Sequence, residues 1–409
     1  MARAPRLTTP CPTRSGHRGL GANTFENDPL FLKPKGKVAE ECLRRHRRRR
    51  ATTDPVLGGG YYRENSLEGV RLASARDADA FIEVDCQMTR DGQVVLWHDD
   101  YVYYERMSPA TGSWERERKR VCDITYEELA RVSGSFDDDS EWHLMREFKM
   151  SREHSEKQLA RWANPLSADD DGAAGPGGHA PPKSKGMCAP RLRELLSSTP
   201  PTMGLNIEIK LFNDGEDAAE GEADLRRRLV RAVHEDISEH LRSTAATGEG
   251  RRQMFFSSFS PDACVEMHAL LRRAPAAAAE AAAEGSSCPV YFLTDLKASH
   301  TDSRRTSFAA AVEFARGQGL DGVVCESSRL LQQIDASSDD DSDACSEASS
   351  VSSAMSSAKT EYGLEIATYG IANNDDELVR QQIEHGVTSI ITDFPMELSS
   401  VLFEASPRR

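Results

Sequence analysis

Short apolar runs recur along the chain, and helix-like stretches separate most of them. The runs are the segment ending at His17, then residues 81–87 (FIEVDCQ), 204–210 (GLNIEIK), 254–259 (MFFSSF), 290–295 (VYFLTD), 322–327 (GVVCES), 365–370 (EIATYG) and 389–395 (SIITDFP). Most have the length and the bounding turn residues of a buried strand. Between them, stretches such as DLRRRLVRAVHEDISEHL, PDACVEMHALLRRA and NDDELVRQQIEHG carry apolar residues three and four positions apart, the period of a helix with one buried face. Strands alternating with helices predict a parallel sheet with crossovers, and eight of them predict a (β/α)8 TIM-type barrel of the α/β class.

A ninth run, VVLWHD at 94–99, follows the second strand too closely for a parallel crossover. It is expected to fold back as a β-hairpin inserted after strand 2. Asp91-Gly92 suggests a two-residue type I′ turn, which needs positive φ at both positions. That turn makes cross-strand residue numbers sum to 183 and sets Asp85 opposite His98, with Glu83 on the same face.

Three stretches break the pattern and are expected to be solvated, low-complexity loops: about 21–61, 134–190 and 335–360. The first holds the basic run Arg44-Arg45-His46-Arg47 to Arg50. The second holds Asp137 to Asp139 and a Gly/Pro-rich segment. The third, with SSDDDSDACSEASSVSSAMSSA, has too few apolar residues to offset its ordering entropy. The expected organisation is an unstructured segment at 1–15, one barrel domain at 16–400, and a tail at 401–409.

Composition narrows the partners. A hydrophobic fraction of 38% fits a barrel carrying unpacked loops, and a net charge of -15 argues against nucleic acid. An anionic substrate would need a local positive centre. Nine scattered cysteines, with no CxxC and no zinc spacing, suit a reducing compartment. No run reaches the length of a transmembrane helix, and the first residues lack an apolar signal core. The expected location is intracellular, in cytoplasm or plastid. Peripheral membrane contact is expected, if at all, through the basic run, which also reads as a nuclear signal or a dock for an acidic partner; as a plain solvated loop it needs none of these.

Three carboxylates stand out. Glu83 and Asp85 share a strand face, and Glu208 ends the next strand. Any one alone is an ordinary strand-end charge. Together, at about 4 Å, they would repel by roughly 4 kcal/mol per pair at a surface-like dielectric, so a cation is expected among them. All-oxygen ligands favour Mg²⁺ or Ca²⁺ over zinc. His17, set between two glycines in GHRG, and His98, followed by Asp99, are candidates for general acid and base. Arg18 and Lys210 are candidate phosphate-binding cations, although Lys210 alone also reads as a snorkelling strand-end lysine.

In this order the residues resemble the glycerophosphodiester phosphodiesterase family. The matching elements are His17-Arg18-Gly19, Glu64-Asn65-Ser66, Glu83-Val84-Asp85, TRDGQVVLWHDD, Glu208-Ile209-Lys210, SSFSPD, FLTD, ATYGIANN and ITDFP, and they span residues 16 to about 395. FIEVD, TRDG, HDD and TYGIANN look particularly like the plant and algal branch, which is related to the glycerophosphocholine phosphodiesterases. The resemblance implies that Glu83, Asp85 and Glu208 bind one divalent cation, that His17 and His98 are the catalytic pair, that Arg18 and Lys210 hold the phosphate, and that Glu64 lines the site. Glu64 also stands at the start of a predicted helix, where the helix dipole favours a carboxylate on structural grounds alone. Asn373 matches the pattern without an assigned role. The lead-in Thr9 to Ser15 has two prolines and no aliphatic residue, so the first strand is expected to be very short or its sequence altered.

The implied activity is metal-dependent hydrolysis of glycerophosphodiesters such as glycerophosphocholine to sn-glycerol 3-phosphate and an alcohol. A lysophospholipase D acting on lysophospholipids and a catalytically silent barrel that senses or scaffolds are the alternatives. The oligomeric state is left open.

Overall fold

Eight strands pair side by side in parallel and return on themselves. They are β1 (Thr13–Gly16), β2 (Phe81–Met88), β7 (Gly204–Ile209), β8 (Met254–Ser258), β9 (Val290–Thr294), β10 (Gly322–Glu326), β11 (Glu365–Tyr369) and β12 (Ser389–Thr392). The order β1-β12-β11-β10-β9-β8-β7-β2, with β1 also paired to β2, closes the ring. This computed structural model describes residues 13–16, 64–76, 81–134, 142–145, 188–212, 221–247, 252–273, 288–335 and 345–392. His17 and Arg18 lie outside the described residues, as does nearly all of the first two expected loop stretches.

Alternation along each strand divides the interior from the helical layer. Phe81, Phe255, Tyr291, Leu293, Val324, Ala367 and Ile391 form one buried cluster inside the ring. Their strand neighbours Ile82, Val84, Leu205, Ile207, Phe256, Phe292, Val323, Ile366 and Ile390 belong to a second, larger cluster between strands and helices. A period of two therefore aims Glu83, Asp85 and Gln87 inward with Phe81. The outer layer contains α1 (Leu67–Arg76), α3 (Leu192–Ser198), α4 (Glu222–Thr247), α5 (Pro261–Arg272), α6 (Phe308–Gln318), α7 (Ser327–Asp335), α8 (Cys345–Thr360) and α9 (Asp376–Glu384). Three of these helices are capped by short polar side chains: Ser260, Ser307 and Asp375 each accept from a backbone N–H of the first turn.

The first strand is indeed only four residues long, beginning inside the segment expected to be unstructured. It reaches β2 at Phe81 and Ile82 only. The far edge of β2, Cys86 to Met88, is covered instead by the antiparallel β3 (Val94–Leu96).

That hairpin differs from expectation by one residue. Cys86 pairs with Leu96 and Met88 with Val94, so the residue numbers sum to 182 rather than 183 and Asp85 lies against Trp97, whose N–H donates to the Asp85 carbonyl. The cause is the turn. Gly92 has φ of +79° while Asp91 is not among the positive-φ residues, and the Gly92 N–H donates to the Thr89 carbonyl. This is a turn followed by a left-handed glycine, a longer loop than type I′. Asp91 serves it by accepting from the Thr89 hydroxyl and the Tyr126 N–H.

Two further corrections concern the stretches read as loops. Residues 345–360 form α8, whose Val351, Met355 and Ala358 are buried in the main core. Their spacing of four and three is a helical stripe that serine-rich composition hides. Within 134–190, β6 (Trp142–Met145) joins β4 (Tyr101–Met107) and β5 (Trp114–Arg120) in a three-stranded antiparallel sheet outside the barrel. α2 (Tyr126–Gly134) follows, and Val95, Trp97, Val102, Tyr104, Ile124 and Leu129 give this sheet its own core.

Candidate active site

The inward acids meet near the C-terminal ends of the strands, the end where barrels of this kind carry their chemistry. In the parallel register of β2 and β7, Asp85 lies beside Glu208 and Glu83 beside Asn206. Glu83, Asp85 and Glu208 each offer a carboxylate oxygen within 4.8 Å of the others, and all three are buried. The charge they impose is visible at Cys86, whose thiol burial first, and then the carboxylates of Asp85, Asp236, Glu83 and Glu208, push well above its ordinary range. Lys210 Nζ lies 3.5 Å from Glu208 Oε1. Three hard oxygen donors converging in a buried place suit a divalent cation of the Mg²⁺ or Ca²⁺ type.

Asp85 is held by a residue to which the sequence reading gave no role. Asn65 Nδ2 donates to Asp85 Oδ2 at 2.9 Å, and the Asp85 N–H donates to Asn65 Oδ1 at 3.1 Å. Asn65 adopts φ of 54°, a left-handed conformation that asparagine tolerates better than most residues. Next to it, Ser66 Oγ accepts from the Gly69 N–H and starts α1. The segment Glu64-Asn65-Ser66 thus joins a helix start to the acid cluster.

His98 lies on the loop beyond β3, not in the ladder. Its Nδ1 is 3.0 Å from Asp99 Oδ1, and its ring shares a 4.8 Å neighbourhood with the carboxylates of Asp99 and the buried Glu64. The loop is fixed by Gln87, whose Nε2 donates to the carbonyls of Trp97 at 3.0 Å, Asp99 at 2.9 Å and, more weakly, His98 at 3.3 Å. Gln87 is the inward residue two positions beyond Asp85, so the alternation that selected Glu83 and Asp85 already pointed to it.

Two rings complete the mouth of the barrel. Phe259 and Tyr369 stand edge to face at 5.9 Å above the inner cluster. The Phe259 ring carries Lys210 Nζ at 5.4 Å and Arg305 at 5.1 Å. Asn373 is not at the site. Its Nδ2 donates to the Thr368 and Ile391 carbonyls, and its Oδ1 accepts from Gln382, so it ties β11 to β12 where their ladder has only two pairs.

Among the described residues no helix is long and apolar enough to cross a membrane. Glycerophosphodiester phosphodiesterase GDPD2 of Arabidopsis thaliana is 26% identical over 385 residues, covering 94% of this chain and 75% of that protein. GDPD1 of the same plant, described as chloroplastic, is 25% identical over 352 residues, covering 86% of this chain and 76% of its own length. A glycerophosphocholine phosphodiesterase of Schizosaccharomyces pombe is 26% identical over 92% of this chain, which spans only 27% of that longer protein. In fold, the chain matches a glycerophosphoryl diester phosphodiesterase structure from Silicibacter pomeroyi with a TM-score of 0.50 and 17% identity, covering 97% of this chain and 94% of that one. The model of the glycerophosphoryl diester phosphodiesterase family matches residues 58–397. A barrel with acids gathered at its strand ends, matched by that family model over most of its length, belongs to the glycerophosphoryl diester phosphodiesterase family, whose members are phosphoric diester hydrolases.

Proposed function

We propose that the chain hydrolyses glycerophosphodiesters, glycerophosphocholine among them, to sn-glycerol 3-phosphate and an alcohol, with one divalent cation, Mg²⁺ or Ca²⁺, held by Glu83, Asp85 and Glu208. The observation that carries this reading is the convergence of three buried carboxylates beside Lys210 on the inward face of the barrel, with His98, Glu64 and Asp99 in a second group joined to it through Asn65, which follows Glu64 and bonds Asp85. A bound cation supplies Lewis-acid stabilisation of charge on a phosphoryl oxygen.

The chain's own residues do the rest. Lys210 and Arg18 neutralise the remaining phosphate charge. His98, oriented through Nδ1 by Asp99, presents its other ring nitrogen for proton transfer, and His17 is its counterpart in the acid/base pair. Glu64 lines the site beside His98. Gln87 keeps the loop of His98 in register, and Phe259 and Tyr369 wall the mouth with apolar surface that limits water around the phosphate. The attacking group is either the glycerol 2-hydroxyl, which displaces the alcohol to give a cyclic phosphate intermediate that water then opens, or water directly; a substrate lacking that hydroxyl separates the two, because its full turnover excludes the cyclic route. A cytoplasmic or plastid location belongs to the same proposal and is supported by the chloroplastic relative.

One observation favours lysophospholipids as additional substrates: at the base of the β4–β5 hairpin Tyr101 packs edge-on against Phe212, two residues beyond Lys210, and at its tip Trp114 is 42% exposed. The test is release of sn-glycerol 3-phosphate from a panel of diesters with EDTA, Mg²⁺ or Ca²⁺, comparing the wild type with Glu83→Gln. Metal-dependent release that the variant loses is expected. A folded wild-type protein that releases nothing from any diester overturns the proposal and leaves the silent barrel.

A further inference from the structure

The mouth carries a second group of charges that the proposed chemistry does not use. At the end of β9, Asp295 is met by Lys297 Nζ at 2.5 Å, Arg329 Nη1 at 3.6 Å, Arg305 Nη2 at 3.7 Å, and the His300 ring, which hydrogen-bonds Asp295 Oδ1. The neighbouring acid, Glu326 at the end of β10, has its carboxylate turned to the first turn of α7, accepting from the Ser328 and Arg329 N–H groups. Among the described residues, three permanent cations therefore surround this carboxylate. Burial alone would raise Asp295, yet the hydrogen bonds from Lys297 and His300 outweigh it and hold the carboxyl below its ordinary range.

The group has a buried side and an open side. Arg305 and His300 are 3% and 5% exposed and back the cluster, whereas Lys297 and Arg329 are 49% and 37% exposed. It also borders the phosphate position. Arg305 and Lys210 lie on the same Phe259 ring, at 5.1 and 5.4 Å from its centre, so the two cations are no farther apart than those distances combined. Arg305 in turn meets Asp295 together with Lys297 and Arg329, so the cluster neighbours a phosphate held at Lys210.

We propose that Lys297 and Arg329 form a head-group subsite that selects diesters whose alcohol carries an anionic group, a carboxylate or a second phosphate, over cationic alcohols such as choline. This deepens the proposed function and rests on it. Excess positive charge that meets solvent beside a reacting phosphate attracts an anion and repels a quaternary ammonium. Neither residue has a role in the proposed mechanism.

Glycerophosphoserine and glycerophosphoethanolamine differ by one carboxylate and isolate the effect; a diester bearing a second phosphate tests the other anion, and glycerophosphocholine is the cationic reference. The wild type is expected to favour the anionic members in kcat/KM. Lys297→Gln with Arg329→Gln is expected to lower kcat/KM about tenfold for those members only. The two uncharged replacements should leave glycerophosphocholine turnover unchanged, which also reports that the fold is intact. Equal or better wild-type use of glycerophosphocholine, or a uniform loss on all substrates, overturns the subsite. Calorimetric binding of the serine and ethanolamine diesters to both proteins separates the two levels. If nothing is turned over, a binding preference that the variant loses upholds the subsite and sinks the hydrolase reading, while equal binding overturns the subsite.

Discussion

Replacing Asn65 with glycine tests whether the acid cluster depends on its support. Glycine adopts the φ of 54° without strain, so the substitution removes the side chain and leaves the backbone path open. Two hydrogen bonds disappear. One is charge-assisted, to the Asp85 carboxylate at 2.9 Å, worth about 1.5–3 kcal/mol; the other, from the Asp85 N–H at 3.1 Å, is worth about 0.5–1.5 kcal/mol. Groups that support metal ligands typically change metal affinity by about 10–100-fold, equivalent to roughly 1.4–2.7 kcal/mol, which lies within that range. The rest should appear as lower stability. Calorimetric titration of the metal-free protein with Mg²⁺ and with Ca²⁺ measures the affinity, and thermal unfolding without metal measures the remainder. Asn65→Asp sharpens the test, because it keeps a residue tolerant of the left-handed region but sets a second carboxylate against Asp85, and its metal-free form should be the less stable of the two. Unchanged metal affinity in Asn65→Gly, with only a lower Tm, would refute the idea that Asn65 orients a ligand and would confine it to starting α1.

Gln87→Leu should lower kcat by about tenfold or more while leaving metal binding within twofold, because it frees the 97–99 loop and not the acids; equal loss of both would show that Gln87 acts on the cluster directly. His98→Ala should remove most activity with an unaltered unfolding curve, and near-normal turnover would end its assignment as acid or base. Met355→Ala, at a position 4% exposed in α8, should cost about 2–4 kcal/mol in urea unfolding; a cost near zero would return 345–360 to the loop it was read as. Asp295 has a folded pKa below its unfolded value of about 3.9. Its contribution to stability is therefore complete above that value and lost as pH falls through the lower folded one. Asp295→Asn should flatten the acid limb of a stability-versus-pH curve below about pH 4, and an unchanged limb would count against the charge cluster.

The barrel was legible because its strands are short apolar runs with a period that sorts Glu83 and Asp85 from Ile82 and Val84. The same period selects Gln87, which was passed over because an amide is not itself a candidate for chemistry. What stayed hidden has physical causes. β5, WERERKR, has polar residues on both faces and is held by pairs such as Arg106 with Glu117 at 2.5 Å and Tyr104 with Glu117 at 2.7 Å, so no apolar alternation announces it. α8 has its apolar residues diluted by serine. The hairpin register turned on the φ of one residue, Asp91, and a dipeptide compatible with two turn types does not choose between them. The charges around Asp295 come from three separate segments after β9 and at α7, and only the folded chain brings them to one carboxylate.

The smallest strand bears on how the protein is made. β1 pairs with β12, Gly16 against Thr392, so the ring joins residues from opposite ends of the described chain. At about 5–20 residues per second, a ribosome delivers β12 on the order of tens of seconds after β1. Among the described residues, the ladder that β1 has during that interval is the two-residue pairing at Phe81 and Ile82, too little by itself to offset the entropy of fixing it. The nascent chain is thus an open, curved sheet with β2 and β12-facing edges waiting for partners, and activity should switch on late and in one step, at release of the final strand rather than at completion of the acid cluster.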